Sequence, residues 1–345
     1  MTSTRTDLAG WLDAPSRAMA AASHGPATVL AALWGGERAV ACHGTPAWHT
    51  DTAVNAHTLF ELGSVTKTFT ALLLAEMAVR GEVGYDDPIT AYLPPGALPR
   101  RTAAESITLA HLATHTGGLP RVPTNLLLPM VSTWWTNPYA GYRLHDLYRA
   151  TTRIRPRYPP GTRVRYSNFG VGLLGQLLAN AAGRDYPGLV IDRVCHPLGL
   201  TETRAVADPG CASGYRRAQP VPPWEMDALA PAGALRSSAT DLLRYLDAQL
   251  HPQSTPLTDA LRAVQMPRAA VRGKDSICLV WNHRAFRRYE LFFHSGATRG
   301  FTVFLGFCRQ ADVGVIALTN GSWTRRDTVI PTAYALLKTL TKERL

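Results

Sequence analysis

Strand-like and helix-like runs are unevenly spread along this chain, and that unevenness limits the folds open to it. Near the start, ATVLAALWGGERAVACHG reads as two β runs around the turn Gly35-Gly36-Glu37. Near the end, ICLVWNHRAF, YELFFHSG, TVFLGFCR and VGVIALTNG are further strand-like runs separated by turns, and TVIPTAYALLKTL closes as a helix. Between them the chain is helical or irregular. Strands at both ends must meet to bury their apolar faces, which implies one antiparallel sheet built from the two termini, flanked by helices, with a mostly helical insertion.

The helical readings are local. Residues 7 to 22 can form a helix, and Phe69, Leu72, Leu73 and Met77 make the apolar face of another, with Gly81 as its stop. NFGVGLLGQLLANAAG and SATDLLRYLDAQL have helical periodicity, the latter with Ser238 as candidate cap. Residues 84 to 165 are rich in proline and turn signals, with short helices such as ITLAHLAT. With 345 residues, 46% of them hydrophobic, the chain can bury a large core in one or two lobes. The expected division is an α/β lobe of residues 1–80 and 270–345 and a mostly helical lobe of residues 81–269, with the active site between them.

Charge and cysteine usage exclude several classes. The formal charge of +11 is carried largely by arginines scattered singly, without the interleaved aromatics of a nucleic-acid surface. The exception, TRIRPRYPPGTRVRYSN, gathers Arg153, Arg155, Arg157, Arg163 and Arg165 as either a solvated loop face or a patch for an anionic substrate. Five well-separated cysteines argue against a disulfide framework. Asp7, Asp13 and Arg17 interrupt any secretion-type apolar run, and no segment is long and apolar enough to span a bilayer, so a cytoplasmic location away from membranes is expected.

Lys67 does not fit its surroundings. The chain has only four lysines, and this one sits in the first turn of the apolar stretch TLFELGSVTKTFTALLLAEM, with no carboxylate three or four residues away. For stability this is a poor place for a cation. For catalysis it suits a neutral base, because desolvation and the positive helix end both lower an amine's pKa. Ser64 precedes it by three residues, so Ser64 and Lys67 are a candidate nucleophile and base. A capping serine beside a snorkelling lysine is the structural alternative. Two further patterns accompany the pair: Tyr166-Ser167-Asn168, the only Tyr-x-Asn in the chain, and His294-Ser295-Gly296 between strand-like runs.

In this order, FELGSVTKTFTALLLAEM, ITLAHLATHTGGLP, YPPGTRVRYSNFGVGLLGQLL, PAGALRSSATDLLRYL and HSGATRGFTVFLG resemble the serine β-lactamase and penicillin-binding family. The likeness is to the branch holding class C β-lactamases, D-alanyl-D-alanine carboxypeptidases, esterases and transacylases. It implies a β-lactamase/transpeptidase-like α/β fold and an acyl-enzyme on Ser64 that needs no cofactor or metal. Lys67 and Tyr166 share the proton work, with Tyr166 the base toward the incoming nucleophile provided Lys67 keeps its phenol acidic. The N–H groups of Ser64 and Ala297 form the oxyanion hole. Asn168 hydrogen-bonds the substrate or the lysine, and His294, Ser295 and Gly296 line the strand beside the substrate. Where class C enzymes carry Lys-Thr-Gly this chain has His-Ser-Gly, which argues against potent β-lactamase activity. Arg299 is a candidate cation for an anionic group.

The expected activity is a transacylase or esterase: a small-molecule acyl donor acylates Ser64, and an amine or alcohol acceptor, or water, takes the acyl group. The transacylase form belongs to natural-product biosynthesis. The alternatives are a β-lactamase or D-amino-acid peptidase and, from another class, a catalytically silent sensor domain. Three other patterns carry less. GVGLLG at 170–175 matches a dinucleotide fingerprint but lacks the preceding buried strand. His111 and His115 lack a third metal ligand. Trp134 and Trp135 read as core or lid packing.

Overall fold

The computed structural model describes residues 7–100, 104–133, 137–206, 210–324 and 328–345. Eight strands form one antiparallel sheet: β1 (Ala27–Trp34), β2 (Glu37–Gly44), β3 (Ala269–Arg272), β4 (Asp275–Ile277), β5 (Asn282–Ala285), β6 (Glu290–Ala297), β7 (Thr302–Cys308) and β8 (Val313–Thr319). Their order, β2-β1-β8-β7-β6-β5-β4-β3, places the first hairpin against the last strand, with Ala31 opposite Ile316. The sheet is thus closed by its two ends, as the clustering of strand signals implies. Gly35 and Gly36 take φ of 59° and 84°, the backbone a two-residue hairpin of this hand requires.

The central strands are buried along their whole length, so both faces must be covered. Alternate residues belong to two clusters. Leu30, Ala32, Phe304, Val313 and Val315 face outward against Leu12 and Met19 of helix α1 (Leu8–Ala22) and, near the end of the chain, Leu336, Leu337 and Leu340. Val29, Ala31, Leu33, Val303, Leu305 and Ile316 face inward with Phe69, Leu72 and Leu73 of α2 (Thr66–Val79) and Leu173, Leu174 and Leu177 of α3 (Asn168–Ala182). The other two long helices are α4 (Ala239–Leu250) and α5 (Val329–Arg344); α5 carries the outer-face leucines.

Two expectations change. SATDLLRYLDAQL was grouped with the helical lobe, but α4 packs on the sheet's inner face against β8, β1 and β7 because Leu242, Leu243, Leu246 and Leu250 make an apolar stripe that fits it. ICLVWNHRAF is not one strand. Val280 takes φ of 67° and splits it into β4 and β5, and its N–H is donated to Ala113 O at 2.8 Å, tying the sheet to the segment before His115. GVGLLG lies within α3, where a Cβ on Gly172 or Gly175 would stand 2.4 Å from Leu229 Cδ2 or 2.3 Å from Pro231, so these glycines serve helix packing. No helix among the described residues is long and apolar enough to cross a membrane.

Candidate active site

The nucleophile turn forms where two backbones approach closely. Gly63–Val65 is a single 3-10 turn leading into α2, so Ser64 precedes the α-helix and Lys67 is its second residue. Gly63 takes φ of +50°, and a Cβ there would lie 2.8 Å from Ala297 O. A Cβ on Gly296 would lie 2.0 Å from Leu62 O and 3.1 Å from Ser64 N. Glycine at both positions lets the turn seat against the end of β6. Thr298 N donates to Phe301 O, and in the alternation of an antiparallel ladder this turns the Ala297 N–H away from β7. The β5 strand pairs only with residues 290–293, so that N–H stands at a free edge, along the seam with Ser64.

Three catalytic candidates meet there. Lys67 Nζ donates to Ser64 Oγ at 2.9 Å and to Ala232 O at 2.6 Å, and the Tyr166 hydroxyl donates to Ser64 Oγ at 2.5 Å. Lys67 is fully buried. Burial, and then the nearby Arg121 charge, hold its amine well below the usual lysine range. An isolated ammonium there would lose several kcal/mol of solvation, so burial favours the uncharged amine, whose single lone pair must turn toward Ser64 before it can accept a proton.

Burial raises the Tyr166 phenol above the usual range, opposed by the hydrogen bond with Ser64 and by Arg121. At rest, burial outweighs the influences that would acidify the phenol. The resting phenol is a protonated donor.

The remaining candidates are placed as follows. Asn168 opens α3 behind its cap Ser167 and donates from Nδ2 to the Tyr139 hydroxyl at 2.9 Å rather than bonding Lys67; its buried Oδ1 has no partner among the described residues. His294 is buried on the inner side of β6, and its imidazole is held down to about 3 by burial and then by Lys67, so it is neutral at ordinary pH. Ser295 lies opposite Phe304, whose side chain belongs to the outer cluster, so its side chain alternates away from His294 and Gly296. Its backbone, rather than its hydroxyl, stands at the edge. Arg299 lies in the hairpin beyond β6, and its charge acts on Tyr139.

Sequence reasoning missed several neighbours. His115 is buried with φ of 58°, its ring 4.7 Å from that of Tyr166, and its Nδ1 accepts from Ser167 N at 3.3 Å. His111 points elsewhere, receiving Thr108 N as part of a helix cap that ends at Ala113, so the two histidines share no helical face. Arg121 stacks over the Tyr166 ring, Cζ 5.4 Å from its centroid. HTGGLPR offered the signal for both, since it follows a short helix and holds a histidine and an arginine within seven residues. Ala232 lies within PAGALRSS, but a backbone acceptor leaves no mark in a sequence. Arg153, Arg155 and Arg157 join Arg100 around a separate cleft of about 500 Å³. Trp134 and Trp135 lie outside the described residues.

Comparison with known proteins agrees with this geometry. The Beta-lactamase family model matches residues 16–338. A Beta-lactamase of Escherichia coli (strain K12) is 28% identical over 313 residues, 78% of this chain and 77% of that protein. A Beta-lactamase of Pseudomonas fluorescens is 29% identical over 328 residues, 83% of this chain and 86% of the relative. D-alanyl-D-alanine-carboxypeptidase/endopeptidase AmpH of Escherichia coli (strain K12) is 28% identical over 282 residues, covering 76% and 71%.

Proposed function

The chain belongs to the serine β-lactamase family and is an enzyme of its hydrolase and acyl-transfer chemistry, and from that premise we propose that it acts on small-molecule esters, as a transacylase or esterase. Ser64 attacks the ester carbonyl, the neutral Lys67 amine takes the Ser64 proton, and the Ser64 and Ala297 N–H groups hold the oxyanion. Tyr166 donates a proton to the leaving alcohol as the carbon–oxygen bond breaks, leaving an acyl-Ser64. Lys67 returns its proton to the phenol. An amine or alcohol, or water, then attacks the acyl-enzyme along the free edge of β6, its proton passes through Tyr166 and Lys67 to Ser64 Oγ as the acyl–Ser64 bond breaks, and transfer is favoured over hydrolysis where the acceptor is held against that edge.

The observation that supports an ester over a β-lactam is His294. The third pattern offers a buried neutral imidazole where a carboxylate-bearing substrate needs a cation. The second reading, a β-lactamase or D-amino-acid peptidase, draws on Arg299, which sits beside Tyr139 and could meet a substrate carboxylate from the other side. The silent-sensor alternative has no support in a site whose hydroxyl, amine and phenol are in hydrogen-bond contact.

The test is intact-mass spectrometry after exposure to a neutral activated ester, with and without an amine acceptor, set against turnover of a penicillin and of a D-alanyl-D-alanine peptide. The reading expects an acyl adduct on Ser64 and an amide product with the acceptor. Faster turnover of the penicillin or the peptide than of the ester would replace it with the second reading.

A further inference from the structure

The site has an unbalanced proton inventory. In the acylation step proposed above, Tyr166 gives up its proton after Lys67 has taken that of Ser64, so the phenolate forms beside one transient ammonium and gains from any fixed cation close to its ring. Lys67 is buried with its amine held well below the usual lysine range, and His294, on β6, is held at about 3. His115, from the segment behind the ring, is buried, and burial holds its imidazole well below its ordinary value. Tyr139 is a buried phenol that burial likewise keeps protonated. Of the groups facing Tyr166 from the elements packed around it, one carries a permanent positive charge against its ring: Arg121.

Its position is set by the backbone. Arg121 O accepts from Asn168 N at 2.8 Å and from Phe169 N at 3.2 Å, which fixes the residue to the start of α3 two positions beyond Tyr166. The guanidinium then lies over one side of the phenol ring, 5.4 Å from its centroid, while Lys67 Nζ lies 5.0 Å from the same centroid. Arg121 is exposed at its outer side, so its charge needs no desolvation to act on the groups beneath it.

We propose that Arg121 is a positioning residue for proton transfer, the second cation of the site, doing from the cleft mouth what a charged side chain at position 294 does not. Resting on the acyl-enzyme reading, the inference makes two demands of one charge. A cation beside Lys67 disfavours a second proton there, keeping the amine a base, and the same cation favours the phenolate that forms when Tyr166 protonates the leaving group. Its removal affects both in the same sense: Lys67 holds its proton to higher pH, and Tyr166 gives its proton up less readily.

The rate of Ser64 modification by a neutral fluorophosphonate, followed by intact mass from pH 5 to 10, tests this in the wild type, Arg121→Gln and Arg121→Lys. A neutral probe removes any role of Arg121 in binding an anionic substrate. The rate rises with pH as Lys67 loses its proton, and in Arg121→Gln this rise moves to higher pH, with about a three- to tenfold loss on the acid side. Arg121→Lys restores most of the loss, since it keeps the charge while losing the planar stack. A purely structural role would lower the rate at every pH and would not be repaired by lysine. Superimposable profiles for wild type and Arg121→Gln overturn the inference while leaving the acyl-enzyme reading intact. A wild type that takes no label on Ser64 overturns that reading and the inference with it.

Discussion

The two faces of the central sheet are equally dry and put to different use. On the outer face, leucines, valines and alanines of β1, β7 and β8 meet α1 and α5, and no buried charged or imidazole side chain interrupts the cluster among the described residues. On the inner face, at the end of β6, the same sheet buries Lys67, His115, Asn168 and His294 around one serine and leaves His115 Nε2, Asn168 Oδ1 and His294 Nδ1 without partners among the described residues, where the outer cluster leaves Trp34 Nε1. Each such atom costs on the order of 1–3 kcal/mol to leave unsatisfied. A chain built only for stability would treat both faces alike. The difference marks the end of the inner face as the working surface, with stability supplied elsewhere.

Substitutions separate the two faces. Ser64→Ala removes the nucleophile, and turnover falls by about 10⁴-fold or more, measured as kcat/KM on the ester with loss of the mass adduct. Lys67→Met costs about 10²–10⁴-fold in acylation while raising stability by about 1–2 kcal/mol, read by calorimetry as a higher Tm. The sign follows from linkage. Burial in the fold lowers the affinity of the Lys67 amine for its proton, whereas the unfolded chain binds that proton up to the ordinary value of 10.5. This residue therefore makes stability rise with pH below that value, down to its lowered folded value, and methionine abolishes that slope. A fall in Tm for Lys67→Met would show that the lysine is structural.

On the outer face the pattern reverses. Leu337→Ala, in the fully buried contact of α5 with the sheet, lowers stability by about 2–5 kcal/mol in chemical denaturation and leaves kcat/KM of the folded enzyme unchanged. At neutral pH the smallest effect belongs to His294→Gln, and it grows as the pH falls. Because His294 is held at about 3, the unfolded chain takes up a proton the fold refuses, and stability falls as pH drops from 6.5 toward 3. Glutamine removes that contribution, up to about 1.4 kcal/mol per pH unit in this window, read as a flatter dependence of the urea midpoint between pH 4 and 6. An unchanged slope would mean that the imidazole is solvated.

The sheet was legible because its determinants are local. Alternating and continuous apolar runs, the Gly35-Gly36 turn and the cap Ser238 each act within a few residues. The split at Val280 was not, since a β-branched residue at positive φ is held there by a distant partner, Ala113 O. In the same way Ser64 and Lys67 could be paired from three-residue spacing, and Tyr166 and His294 placed near them through the family resemblance. Arg121 escaped notice although HTGGLPR carried a signal for it, because its role depends on tertiary proximity to Tyr166, and Ala232 because a backbone carbonyl has no residue-type signature. The resemblance also carried over a basic Tyr166, which the burial of its phenol in this chain does not support at rest.

The central claim is that a buried, uncharged amine makes Ser64 nucleophilic. With four lysines in the chain, selective ¹³Cε-lysine labelling gives a spectrum simple enough to assign by comparison with Lys67→Met. The account predicts that the signal lost in that variant titrates well below the ordinary lysine range in the folded enzyme. If that signal instead titrates near 10.4, with the amine charged at neutral pH, Lys67 is not the base and the account is contradicted.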